Sequence, residues 1–123
     1  MCSQCNTAQR LLLNTPQLAG KPNAAAEGAC IAMYESSYNP RAINDKNSDG
    51  SSDFGLWQIN NRYWCTPGPA GGKSENGCHA TCASLLDPQA NAACAARLWA
   101  DKGNWGHWAT GNYNCRKGCP CGD

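Results

Sequence analysis

Two carboxyl side chains stand apart from the other acids in this sequence. Glu35 follows Met33 and Tyr34 near the expected end of a helix. A helix C-terminus disfavours negative charge, and burial there disfavours ionisation further. Asp53 sits among Ser51, Ser52, Gln58 and Asn60, whose hydroxyls and amides can donate hydrogen bonds and keep a carboxylate charged. Taken singly, either acid reads as a solvated surface group. Together, one carboxyl kept protonated and one kept charged form the pair that cleavage of a glycosidic bond needs: a general acid, and a nucleophile or charge stabiliser. No serine has His and Asp partners at a recognisable spacing, so a hydrolase triad is unsupported, and His79 and His107 carry no catalytic pattern.

The elements that must position this pair follow from local chemistry. A first helix is expected from about Asn6 to Asn14, stopped at Thr15-Pro16 because a residue before proline avoids the helical region. A second is expected after Lys21-Pro22-Asn23, with Asn23 as N-cap and Ala24 to Ala26 as strong helix formers. It runs to about Ser37, with Cys30, Met33 and Tyr34 as its inward stripe and Asn39-Pro40 as its stop. Asp49-Gly50 predicts a hairpin turn, flanked by strands near 43–45 and 51–54, with a third near 57–60. Asp87-Pro88 predicts the N-cap and first position of a central, alanine-rich helix that Lys102-Gly103 closes. A short turn or helix follows at 105–109. Mostly helix with one small antiparallel sheet is an α+β domain.

Composition bounds the rest. A chain of 123 residues fits one domain, 1–123, with a real core. Ten Lys and Arg against nine Asp and Glu give +1, which is no footprint for nucleic acid or an anionic membrane. No run of 18 apolar residues exists to span a bilayer. Met1-Cys2-Ser3-Gln4-Cys5 lacks the basic and apolar regions of a signal peptide, so a mature secreted protein carrying an added initiator Met is expected. Ten cysteines fit an oxidising, extracellular compartment. Thr66 to Gly77, rich in Pro and Gly, reads as a surface loop stapled between cysteines.

The stretch Glu35-Ser36-Ser37-Tyr38-Asn39, then Asp49-Gly50-Ser51-Ser52-Asp53-Phe54-Gly55-Leu56-Trp57-Gln58-Ile59-Asn60, resembles the active-site signature of the C-type lysozyme and α-lactalbumin family. Arg62-Tyr63-Trp64-Cys65 extends it, and the likeness continues through Cys78-x3-Cys82, Cys94-Ala95-Ala96, Asp101 to Trp108 and Cys115. The resemblance implies a lysozyme-like α+β fold, with the cleft between a helical lobe and a three-stranded antiparallel sheet. It implies hydrolysis, with retention, of β-1,4 bonds between N-acetylmuramic acid and N-acetylglucosamine in peptidoglycan, with chitin oligomers as a further substrate. The acid–base logic above is itself the one worked out on a lysozyme of this family, so the resemblance carries it. Glu35 matches the general acid and Asp53 the second carboxylate, with Ser51 and Asn60 as polar neighbours of Asp53 and Trp108 as the apolar wall beside the acid. Asn47, Gln58, Asn60, Tyr63, Trp64, Asp101 and Trp108 fall where the family binds N-acetylated sugars. Aromatic faces suit sugar rings, and amides and carboxylates suit their edges. Trp99, amid alanines in mid-helix, reads as core, whereas Trp57 and Trp105 are open. A secreted antibacterial or digestive enzyme, monomeric and without a cofactor, is expected.

The sequence also departs from the family. The likeness implies the bridges Cys30–Cys115, Cys65–Cys82 and Cys78–Cys94. Cys2, Cys5, Cys119 and Cys121 remain and allow three pairings. Cys5–Cys119 with Cys2–Cys121 is preferred because antiparallel ends nest, and a four-thiolate zinc site is the competing reading. Family members that bind calcium carry clustered aspartates after the position of Cys82, but only Asp87 lies between Cys82 and Cys94, so no metal site is expected. A charge of +1 gives little attraction to an anionic wall at neutral pH, which points to work in mildly acidic surroundings. Three other functions compete. A non-catalytic sugar binder fits the family but does not explain why both acids are present. A lytic transglycosylase fits Asn39-Pro40-Arg41-Ala42-Ile43-Asn44. A cysteine-rich inhibitor or toxin explains the bridges alone.

Overall fold

A computed structural model describes residues 2–109 and 114–119. Its elements are α1 (Cys2–Leu13), α2 (Pro22–Ser36), β1 (Ile43–Asn44), β2 (Asp53–Phe54), β3 (Ile59–Asn60), β4 (Cys65–Thr66), β5 (Ala80–Thr81) and α3 (Pro88–Lys102), with short 3-10 turns at Pro69–Gly71 and Ala83–Leu86. Strands β1, β2 and β3 form an antiparallel sheet, and β4 and β5 form a parallel pair that the local sequence pattern did not signal.

The helix ends follow their local chemistry in most places. Asp87 caps α3 by accepting the Ala90 N–H at 3.0 Å, Pro88 stands at its start, and Gly103 takes the left-handed conformation (φ 74°) that ends it. The lone acid between Cys82 and Cys94 is thus committed to a helix N-terminus. α1 begins a turn earlier than expected, at Cys2. α2 corrects the expected N-cap. Pro22 occupies the first helical turn, so Lys21 is the cap and Asn23 lies inside the helix. The inward stripe also needs correction: Cys30 is buried and Met33 half-buried, but Tyr34 is 49% exposed. α2 ends at Ser36, before Asn39-Pro40, because Ser37 (φ 52°) and Tyr38 (φ 62°) adopt left-handed backbone and the Ser37 N–H closes onto Met33 O. That leaves Glu35 in the last turn of α2.

The hairpin turns one position earlier than Asp49-Gly50. The Gly50 N–H bonds Asn47 O at 3.0 Å, so Ser48 and Asp49 are the central pair and Gly50 (φ 83°) follows them. Asn44 therefore pairs with Asp53, and Asp53 with Asn60, in one row across the sheet.

The buried residues form one cluster around α1, α2 and α3, with Leu12, Ile31, Trp57, Leu85 and Trp105 among its largest members. Trp57 and Trp105 are core, and their indole N–H groups donate to Gly28 O and Ala24 O. Trp99 is half-buried and packs against that core. Half of the residues in the loop at 66–77 are exposed, and Gly68 is buried. Disulfides join Cys30 to Cys115, Cys65 to Cys82, Cys78 to Cys94 and Cys5 to Cys119. Cys2 is also disulfide-bonded, and Cys121 lies outside the described residues. The bond between Cys5 and Cys119 removes two of the four thiolates that a terminal zinc site would need. Among the described residues, no helix is long and apolar enough to cross a membrane.

Candidate active site

The row Asn44–Asp53–Asn60 decides the environment of Asp53. Directly opposed residues on neighbouring strands share a face and stand close enough for side-chain contact. Asn60 Nδ2 donates to Asp53 Oδ1 at 2.9 Å from β3, and Asn44 Nδ2 donates to Oδ2 at 3.4 Å from β1. Asn47, in the turn, adds a third donor to Oδ2 at 3.0 Å. Three amide donors thus converge on one carboxyl. Of the expected donors, only Asn60 reaches it. Gln58 spends its amide on Ala42 O and Gly55 O, and the Ser51 hydroxyl goes to Asp49.

That Ser51 hydroxyl is a hub. It donates to Asp49 Oδ1 and accepts from Asn60 Nδ2 at 2.8 Å and Asn47 Nδ2 at 3.3 Å. Asp49 also takes the backbone N–H of Ser51 and the Arg62 guanidinium, whose Nε lies 3.1 Å from Oδ2. The Ser51 hydroxyl and backbone N–H hold the Asp49 carboxyl at about 2, well below its ordinary range, with Arg62 adding to the effect.

Glu35, from the end of α2, and Asp53, from β2, open on the same cavity of about 400 Å³. Tyr63, Trp64, His107 and Trp108 also line it, with Asp49, Gln58, Ile59, Asn60, Leu98 and Ala109. Trp108 is 6% exposed, so it is at once core and cavity wall, and its indole N–H donates to Trp57 O at 2.8 Å. Tyr63 is half exposed and Trp64 half-buried. Asn47 and Asp101 do not line the cavity themselves; each acts through a neighbour that does, Asn47 through Asp53 and Asp101 through His107. A second hollow, of about 200 Å³ between α1 and Tyr38, Pro40, Leu56 and Pro88, holds no carboxyl.

Three residues at or beside the cavity are not signalled by local sequence. Asn44 becomes visible only once the hairpin register is known. Asp49 reads locally as a turn residue. His107 carries no local pattern, although Asp101 and His107 bracket the end of α3 at a spacing that lets the imidazole reach back to the carboxylate. Among the described residues no cluster of His, Cys, Asp and Glu has the geometry of a metal site.

Comparison with known proteins bears directly on this geometry. The sequence profile of the C-type lysozyme/alpha-lactalbumin family matches residues 1–120. The chain belongs to that family. It is 39% identical to Lysozyme 2 of Lucilia sericata over 113 residues, which covers 90% of this chain and 75% of that protein. It is 35% identical to the milk isozyme of Lysozyme C from Equus caballus, covering 93% of this chain and 88% of that one. Its fold superposes on the crystal structure of apo-type canine milk lysozyme with a TM-score of 0.73 and 30% identity, over 92% of this chain and 87% of the other. The family joins lysozymes, which are glycoside hydrolases, to α-lactalbumin, so the activity of this member turns on its site residues.

Proposed function

We propose that this family member is a secreted, monomeric lysozyme acting in antibacterial defence or digestion. Its reaction would be hydrolysis, with retention, of the β-1,4 bond between N-acetylmuramic acid and N-acetylglucosamine in peptidoglycan, with chitin oligomers as a second substrate. One observation carries this reading: Glu35 and Asp53 open on one aromatic-walled cavity from a helix end and a strand. In the reaction Glu35 gives its proton to the glycosidic oxygen as the C1–O bond breaks, and the leaving sugar departs as an alcohol. The Asp53 carboxylate meets the positive charge growing at C1, by bonding to it or by electrostatic contact. Water then attacks C1 from the face the leaving sugar vacated while the Glu35 carboxylate takes its proton; any C1–O bond to Asp53 breaks in the same step, which restores both carboxyl groups and retains the configuration. Tyr63 and Trp64 offer ring faces to the sugars, and Trp108 excludes water beside the acid.

The test is clearing of a bacterial wall suspension together with the mass of the released fragments. Glu35→Gln keeps the shape and loses the proton, and is expected to slow clearing at least about 100-fold, the usual scale for a general acid. Equal rates in wild type and variant overturn the mechanism. Fragments carrying one added water support hydrolysis, whereas anhydro fragments assign the chain to transglycosylation. A wild-type protein that binds walls without clearing them is a non-catalytic member of the family.

A further inference from the structure

His107 occupies a position that the mechanism above does not use. With Tyr63 and Trp64 it lines both the carboxyl-bearing cavity and a third hollow, of about 440 Å³, that continues past Glu75 and Gly77. A glycan running through both hollows crosses the saddle between Trp64 and His107. The imidazole meets two aromatic walls edge-on: its centroid lies 5.3 Å from Trp64 at 83° and 6.3 Å from Trp108 at 85°. Its Nε2 is 3.0 Å from Asp101 Oδ2. The imidazole is 20% exposed and the Asp101 side chain 56%. A largely covered ring thus ties a more exposed carboxylate to the aromatic wall.

We propose that His107 is a positioning residue for glycan binding. It fixes Asp101 and the rim of Trp64 at the saddle and grips an N-acetylated β-linked sugar chain more tightly when its ring is charged. The inference rests on the glycosidase reading of the cleft. Because Asp101 accepts the Nε2 proton, Nδ1 is an acceptor in the neutral ring and a donor in the imidazolium. Charging the ring turns its hydrogen bond to the Asp101 carboxylate into an ion pair, which is stronger. The titratable groups that share these two hollows or the ring's own hydrogen bond are Asp101 from α3, Glu35 from α2, Asp49 and Asp53 from the hairpin, and Tyr63 and Glu75 across the saddle. Arg62, next to Tyr63 in the chain, is bound to Asp49.

The test measures binding without turnover. In the Glu35→Gln background, the N-acetylglucosamine tetramer is titrated by tryptophan fluorescence at pH 5.5 and 7.5. The parent is expected to bind about threefold more weakly at the higher pH. Adding His107→Ala weakens binding at pH 5.5 by about 5- to 10-fold, the scale of one charge-assisted contact. His107→Gln keeps a donor for Asp101 without a titration, so it falls between the two and shows no pH effect. Circular dichroism checks that both fold, and if His107→Ala does not, the pH profile of His107→Gln decides. Parent-like affinity of His107→Ala at both pH values, or a pH dependence that survives in His107→Gln, overturns the inference and leaves the glycan site standing. No binding by the Glu35→Gln parent removes the glycan site and this inference together.

Discussion

Asn91 lies on α3, is fully buried, and does not line the cavity, yet the strand that carries Asp53 depends on it. Its Oδ1 accepts the Trp57 backbone N–H at 2.9 Å, and its Nδ2 donates to Phe54 O and Leu85 O, each at 2.8 Å. Phe54 follows Asp53 in β2, so this one amide fastens the sheet that carries Asp53 to the helical lobe. Gly55 shows how close the fit is, since a Cβ there would collide with Asn91 Nδ2 and Leu85 O. Asn91→Ala strands one backbone donor and removes a partner from two backbone acceptors. An orphaned buried donor costs about 1–3 kcal/mol, and a carbonyl that keeps a second lone pair for other partners costs less. A loss of about 3 kcal/mol follows, which for a domain of this size lowers Tm by about 12 °C. Thermal and urea melts with the disulfides intact measure it. Asn91→Asp supplies a sharper signature. Its carboxylate faces two carbonyl oxygens at neutral pH, whereas protonation restores one donor, so its deficit relative to wild type is expected to shrink as pH falls from 7 to 4. A Tm loss below about 3 °C in Asn91→Ala, or a deficit in Asn91→Asp that grows with acid, refutes the reasoning.

Two further outcomes are expected. The Asp49 carboxyl sits at about 2 in the fold against an ordinary 3.8, so its contribution is present above 3.8 and is lost as pH falls toward 2; Asp49→Asn should flatten the fall in urea midpoint across that window, and an unchanged slope counts against the assignment. Gly28→Ala gains about 1 kcal/mol of helix propensity, yet its Cβ would stand 2.6 Å from Trp105 Cη2 and 2.7 Å from Leu12 Cδ1, so overpacking of about 1–3 kcal/mol wins and Tm falls; a rise in Tm shows that Trp105 can yield.

The parts of the fold legible in the sequence are those fixed by contacts within a few residues. Both ends of α3 are of this kind, because an Asp-Pro start and a Gly stop act within one turn. The start of α2 misleads for the same local reason: Pro22 and Asn23 compete for adjacent positions, and the ring of Pro22 suits the first helical turn better than Asn23 suits the cap. Tyr34 misleads because spacing finds a helical face without saying that the core lies on it. The hairpin register lay beyond local reading. A two-residue turn on Asp49-Gly50 would place Lys46 opposite Asp53, whereas the observed turn places Asn44 there, so a slip of one turn position separates a cation from an amide beside the catalytic candidate. The acids themselves stood out by residue type and order, but their donors did not, because a donor is defined by register and not by nearness in the chain.

The same register explains why a serine sits at the hub. A hydroxyl has one proton, and Asp49 takes it, so Ser51 can meet Asn47 and Asn60 only as an acceptor. Each of these amides gives one N–H to Ser51 and one to Asp53. The orientation of two donors on Asp53 is thereby set two bonds away, by a carboxylate that stays charged down to a pH of about 2. An alanine at 51 would free both amides to turn, and a protonated Asp49 would let the hydroxyl compete as a donor. The two donors that Asn47 and Asn60 present to Asp53 are therefore held in one orientation across any mildly acidic or neutral setting.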